Sequence, residues 1–274
     1  MDKKFEKYEL KKSLSSMISF DFKRLFVSQF FYIIIACCLV APILILVMTK
    51  MMEGSPMTDQ NGNPILDQLG NPVLMEGFKS VWQMLGSTST SNSGMTMDLV
   101  GMCNINMVFF AISVLVGIFI ASEFRSGYVK NLFTLRSSKK EYVISKTLVC
   151  FVGGAGMIIS FFVGSLIGGA ITSLSFELVD ISLGNVIMCL LSKLGVVLVF
   201  TSIFVLASVI SKERLWMSLV AGLGIGMLLF MMIPIISPLD ATMMNVILSF
   251  VGGTLFAIGL GAISNLILKK GRLI

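Results

Sequence analysis

Histidine is absent from the 274 residues, and Lys, Arg, Asp and Glu together make up only 13% of them, against roughly 25% in soluble domains. The first absence removes the most frequent general base and the most frequent metal ligand. The second removes the charge that a soluble domain spreads over its solvated surface. There is no Gly-x-x-x-x-Gly-Lys-Ser/Thr phosphate loop either, so nothing argues that this chain itself binds or hydrolyses ATP. Its few carboxylates are scattered at the borders of apolar runs, and no nucleophile stands beside a base. No enzyme activity, catalytic residue or metal site is therefore expected. Cys37, Cys38, Cys103, Cys150 and Cys189 lie in or beside apolar runs without metal-ligand spacing, and they read as small buried hydrophobes.

What fills the chain is apolar: 55% of it is hydrophobic. A bilayer core takes about 20 such residues per helix. Runs of that kind lie near 26–49, 99–122, 147–174, 185–210, 216–237 and 244–268, the third long enough to be tilted or broken. The fold class that follows is an all-α integral membrane protein with six transmembrane helices. The first run starts too late and is too long for a cleaved signal peptide. Pro42 is expected to kink the first span, and Pro234 and Pro238 to end the fifth. Small residues four apart, at Gly164/Gly168, Gly222/Gly226 and Gly253/Ala257/Gly261, predict close helix packing or a subunit seam. The Gly222–Gly226 stretch sits inside a span with no strand before it and is no nucleotide fingerprint.

Charge sets the orientation. Lys3, Lys4, Lys7, Lys11, Lys12, Lys23 and Arg24 precede the first span; Arg125, Lys130, Arg136, Lys139 and Lys140 follow the second; Lys212, Arg214, Lys269, Lys270 and Arg272 lie on the same side. The alternate loops carry Lys50 and Lys79 against eight carboxylates, among them Asp98, Glu177, Asp180 and Asp240. The positive-inside rule then puts both termini in the cytoplasm, and the net charge of +6 requires no nucleic-acid partner. The expected layout is a cytoplasmic amphipathic segment at 1–25, a six-span domain at 26–274, an extracellular loop at 50–97 and a cytoplasmic loop at 123–146. Leu10, Leu14, Met17, Ile18, Phe22 and Leu25 recur at helical spacing among lysines and serines, so the N-terminal segment reads as an interfacial helix against membrane lipid.

The outer loop contains a tandem repeat, Asp59-Gln60-Asn61-Gly62-Asn63-Pro64-Ile65-Leu66 and Asp67-Gln68-Leu69-Gly70-Asn71-Pro72-Val73-Leu74. Its turn chemistry predicts a small hairpin, followed by a short helix near Glu76–Leu85. A substrate lid and a variable spacer are both open. Lys193 lies inside the fourth span, roughly 13 Å deep at 1.5 Å per residue. An intramembrane charge is a candidate for a translocation path, with snorkelling toward Asp98, Glu177 or Asp180 as the alternative.

The segment from Glu123 to Lys146 mixes cations, aromatics and leucines too apolar for a solvated loop. Glu123 closes the second span; Arg125, Gly127 and Lys130-Asn131-Leu132 follow; a basic, Ser-rich step through Arg136 and Lys140 leads to Tyr142 and Lys146 in the third. This pattern resembles permeases of the ABC-2 family, and the topology resembles them over nearly the whole chain. The resemblance implies that the loop is a coupling helix docking on a separate ATP-binding-cassette ATPase subunit. Glu123, Arg125, Gly127, Lys130, Asn131, Arg136 and Lys140 would lie at or near that joint. It further implies two ATPase copies holding ATP and magnesium, no cofactor in this chain, a second permease copy or a related permease, and a place in a bacterial cell membrane. The implied function is export of a peptide or hydrophobic compound, such as an antimicrobial or toxin peptide. One departure is the short stretch 238–243, which leaves little room for the re-entrant hairpin of larger family members. An ATP-independent carrier or channel centred on Lys193, or a sensor or scaffold using the outer loop, are the rival readings.

Overall fold

Hydrocarbon offers no partner to a peptide N–H or C=O, so an apolar run within it must close its own hydrogen bonds as a helix. The computed structural model describes residues 2–58, 63–66, 70–75, 77–88, 103–134, 139–178, 181–230 and 232–270, with side chains between Leu14 and Lys269. Its helices are α1 (Asp2–Val27), α2 (Gln29–Met52), α3 (Val108–Arg125), α4 (Tyr128–Thr134), α5 (Lys139–Ile171), α6 (Leu183–Ser211), α7 (Leu215–Phe230), α8 (Ile233–Ile236) and α9 (Met243–Lys270). Among the described residues there is no strand, only isolated bridges.

Five helical stretches are long and apolar enough to cross a membrane: Gln29–Met52, Ile105–Arg125, Lys139–Ile171, Leu183–Ser211 and Met243–Lys269. The protein is thus all-α and membrane-embedded. The expected fifth span is divided: α7 has 16 residues, about 24 Å against a hydrocarbon core of about 30 Å, and Pro234 stands in the separate turn α8. The third run is unbroken in α5, whose 33 residues begin at Lys139, inside the stretch expected to be loop. α2 continues through Pro42, which is buried.

α6 lies at the centre and packs most extensively on α9, while α5 packs most on α2. α6 and α3 are the most buried spans, and α2 and α9 the most exposed. The core includes Phe109, Ile112, Val116, Val149, Met157, Val197, Phe200 and Phe204. α1 turns Met17, Asp21 and Leu25 inward and leaves Phe20, Lys23, Phe26 and Val27 exposed. Two of the apolar positions expected at a lipid surface, Met17 and Leu25, instead fill the protein core.

The acidic end of the bundle is closed by chain from the connection between α2 and α3. Phe78, Val81, Met84 and Leu85 are buried, and the expected helix there is a single 3-10 turn, Val81–Met84, whose first turn is capped by the Ser80 hydroxyl. A Cβ on Gly169 would overlap Val81 Cγ2 and stand 3.2 Å from Val81 Cβ, so glycine is what admits this segment against α5. Trp82 Nε1 donates to the Phe176 carbonyl at 3.0 Å. Residues 78–85 are therefore built into the bundle.

The described segments of the tandem repeat pair in a ring, where a hairpin was expected; residues 59–62 and 67–69 lie outside the described residues. Met57 N–H donates to Val73 O at 2.8 Å, Val73 N–H to Ile65 O at 2.8 Å, and Ile65 N–H to Met57 O at 2.7 Å. Bridges join Pro56 to Leu74, Thr58 to Pro64 and Leu66 to Pro72. A third copy, Pro56-Met57-Thr58, thus joins the two visible ones. It keeps the eight-residue period, with Gly54 and Pro56 matching Gly62/Pro64 and Gly70/Pro72, but Ser55 and Thr58 replace the Asn and Leu that make the other two copies visible.

Candidate functional site

At the basic end of the bundle, three helices bring charged side chains into the interior. Asp21 is carried by the inward face of α1, Glu123 by the last turn of α3, and Lys146 by α5 two turns from its start; none of the three is exposed to solvent. Lys146 Nζ donates to Asp21 Oδ1 at 2.5 Å and also to Glu123 Oε1. Arg24, one turn after Asp21, donates to Glu123 Oε1 at 2.5 Å and to Ser122 Oγ at 3.0 Å. The remaining carboxylate oxygens are also taken: Tyr142 Oη donates to Glu123 Oε2 at 2.8 Å, and Ser145 Oγ to Asp21 Oδ2 at 2.5 Å. Two carboxylates thus face two cations with every carboxylate oxygen hydrogen-bonded, the condition under which buried charge is tolerated.

Aromatic faces complete the enclosure. The Lys146 ammonium lies 5.0 Å from the Phe119 ring centroid and 5.2 Å from that of Tyr142. The Arg24 guanidinium lies 5.5 Å from both Phe119 and Tyr128, and Phe20 stacks on Tyr128 at 5.7 Å. Burial, and after it the Asp21 and Glu123 carboxylates, push the Tyr128 phenol up to about 12, so it stays protonated across the physiological range. The network ties α1, the end of α3 and the start of α5 into one block.

α4 is mounted on that block. Gly127 sits at a φ of 72° and ends α3, its N–H bonding to the Phe124 carbonyl at 3.2 Å while its carbonyl receives the Asn131 N–H at 3.2 Å. No described residue lies within 4 Å of where its Cβ would be, so glycine answers to the backbone angle there and not to crowding. Val129 is buried, Phe133 packs edge-on against Tyr142 at 5.6 Å, and Lys130, Asn131 and Thr134 face outward. Beside α4 is a recess of about 630 Å³, lined by Phe124, Val129 and Lys130 on one side and by residues 210–214 and Met217 on the other.

The residues singled out from sequence separate into different environments. Arg125, Lys130, Asn131 and Lys140 are exposed, Gly127 is half-buried at its turn, and Glu123 is fully buried. Arg136 lies outside the described residues. Glu123 therefore has no surface of its own to offer a partner; it is bonded to α1 through Arg24 and to α5 through Tyr142 and Lys146. Sequence reasoning gave no site role to Asp21, Arg24, Ser145 or Lys146. A signal was present: Asp21 interrupts the 14–17–18–25 apolar stripe of α1, and Tyr142 and Lys146 are four apart on one helix face.

Lys193 is elsewhere. It is fully buried, and its Nζ donates to Asn106 Oδ1 at 2.8 Å and Ser237 Oγ at 3.2 Å, and more weakly to the Ser237 carbonyl at 3.4 Å. Among the described residues no carboxylate pairs with it; Asp98 and Asp180 lie outside them. It is thus pinned between α3's leading turn, α6 and the end of α8, and does not snorkel to Glu177. No group of three or more Cys, Asp or Glu able to hold a metal occurs among the described residues.

No family model, curated protein or solved structure matches this chain. The functional reading therefore rests on the chain's own residues and their geometry.

Proposed function

We propose that this chain is the membrane-spanning subunit of an ABC-2-type exporter. In this reading the chain has six spans, counting α7 with α8 as one, and both termini lie on the cytoplasmic face of a bacterial cell membrane. Two ATP-binding-cassette subunits hold ATP and magnesium and grip α4, and a second permease copy or a related permease completes the complex. Closure of the ATPases would move α4, and the Asp21–Glu123–Lys146–Arg24 block would carry that motion into α1, α3 and α5 as one body. A peptide or amphipathic compound is the cargo.

One observation carries the reading: a short helix with an outward face of Lys130 and Asn131, flanked by exposed Arg125, packs through its Tyr128 and Phe133 rings on a block of three long helices that a buried charge network joins. A loop that merely obeyed the positive-inside rule would need no such anchorage. The basic recess beside α4 supplies a concave edge against which a partner could seat.

The test uses the exposed cations, because changing buried Glu123 would also disturb the fold. Tagged full-length chain is recovered in mild detergent from its native membrane, as wild type and as the double variant Arg125→Glu/Lys130→Glu. An ATPase subunit is expected to accompany the wild type and to fall at least about 10-fold in the variant, since misplaced like charge at an interface costs several kcal/mol. The variant's thermal midpoint is expected to stay at the wild-type value. Absence of an ATPase from both samples sinks the proposal and turns attention to a carrier centred on Lys193, for which Lys193→Met becomes the decisive variant.

A further inference from the structure

On the face of α5 opposite the charge network, a groove of about 480 Å³ lies between α5 and α9 with Leu198 of α6 at its floor. Its walls are Ile144 and Leu148 on α5 and Ile258 and Gly261 on α9, with Lys140 at one end and Leu198 beneath. The polar groups along it are nearly all spent within their own helices: Thr147 Oγ1 donates to Val143 O at 3.0 Å and Thr254 Oγ1 to Val251 O at 2.9 Å. Asn265 is the exception. It lines the groove and is only 7% exposed, and no described residue donates a hydrogen bond to its Oδ1. An amide oxygen withheld from both water and protein is costly to leave unpaired, so its presence on the wall of an apolar groove points to a ligand that brings a donor.

The dimensions and charge identify the ligand's chemistry. From Thr254 to Asn265 the groove runs about 17 Å at ~1.5 Å per residue, close to one leaflet of a hydrocarbon core about 30 Å thick. Its end at Lys140 coincides with the basic end of the bundle. There Lys139 Nζ donates to the Leu268 carbonyl at 2.7 Å and ties α5 to α9, while Lys140 and Lys269 stay exposed. Lys140 forms no ion pair with a described residue. An apolar trough one leaflet deep, with a cation at its mouth and an acceptor just inside, is complementary to a lipid whose head is anionic and carries hydroxyls. We propose that this groove binds one anionic glycerophospholipid, its acyl chain between α5 and α9, its phosphate on Lys140 and a headgroup hydroxyl donating to Asn265 Oδ1. The site stands apart from α4 and does not rest on the exporter reading.

The test uses the delipidated full-length chain in detergent, titrated with phosphatidylglycerol or with phosphatidylcholine of the same acyl chains, and reads the thermal midpoint. Phosphatidylglycerol at about 100-fold over its dissociation constant is expected to raise the midpoint by about 5 °C, and phosphatidylcholine by much less. Lys140→Ala and Asn265→Leu should each remove most of that preference. Asn265→Leu should do so without lowering the lipid-free midpoint, since it also removes the unpaired oxygen. Equal shifts with the two lipids, or a preference unchanged in both variants, overturns the proposal. So does efficient cross-linking between two copies through Ile258→Cys in vesicles, because Ile258 is 71% exposed on this wall and the occupant would then be a second copy of the chain.

Discussion

Replacing Lys146 by Met is expected to destabilise the protein by about 3–5 kcal/mol, the range found when one partner of a buried ion pair is removed. Methionine retains the aliphatic length and keeps contact with the Phe119 and Tyr142 rings, so packing is preserved and the charge is isolated as the cause. What remains is Asp21 and Glu123, neither of them exposed, facing Arg24 alone. In detergent the thermal midpoint should fall by about 10 °C, taking 2–4 °C per kcal/mol for a chain of this size. The decisive comparison is with Lys146→Met/Asp21→Asn, which restores the balance of charge and leaves an amide oxygen at the second position to accept the Ser145 hydroxyl. That double variant should recover a good part of the loss, with a coupling of about 1–3 kcal/mol between the two sites. If it is simply the sum of the two single variants, Asp21 and Lys146 do not sense each other and the buried block is not a unit.

How much of this was legible beforehand follows from range. The membrane class and most helical runs were legible because they depend on composition within some twenty neighbouring residues. The division of the fifth run was foreshadowed by Pro234, but where the helix would stop was decided by the burial of Ile233, Ser237 and Leu239 at the acidic end. Glu123 was legible as important and misplaced in character: an acidic residue at a span's end reads as surface until Arg24, Tyr142 and Lys146 converge on it from two other helices. The pairing of Asp21 with Lys146 spans 125 positions, and no local pattern encodes it. Asn265 offered no signal at all in sequence, because an Asn near a helix end is ordinary. Only the missing donor at its oxygen sets it apart.

The glycines show the same limit, and they lead to the second large effect. Gly164→Ala is expected to cost about 2–3 kcal/mol, at the upper end for overpacking. The new methyl would overlap the Leu39 carbonyl oxygen and stand 2.7 Å from Pro42 Cγ, and both belong to the backbone or ring of α2, which no rotamer change can move aside. α2 would have to withdraw from α5 along its length, straining the Ser160 hydroxyl bond to the Ile35 carbonyl, now 3.0 Å. Gly261 belongs to a stripe with the same four-residue spacing, yet a Cβ there meets only Val143 Cγ1, at an ordinary 3.7 Å. Gly261→Ala should therefore leave the midpoint within about 0.5 kcal/mol of wild type, as a surface substitution would. Thermal unfolding of the two variants side by side checks both statements. Equal losses would mean that spacing alone governs these helices; a loss confined to Gly164 means that the α2–α5 contact depends on what glycine omits there, and that on α9 the close approach is made at Gly253, where a Cβ would stand 2.8 Å from the Gly195 carbonyl oxygen, while the Gly261 end of the stripe is open.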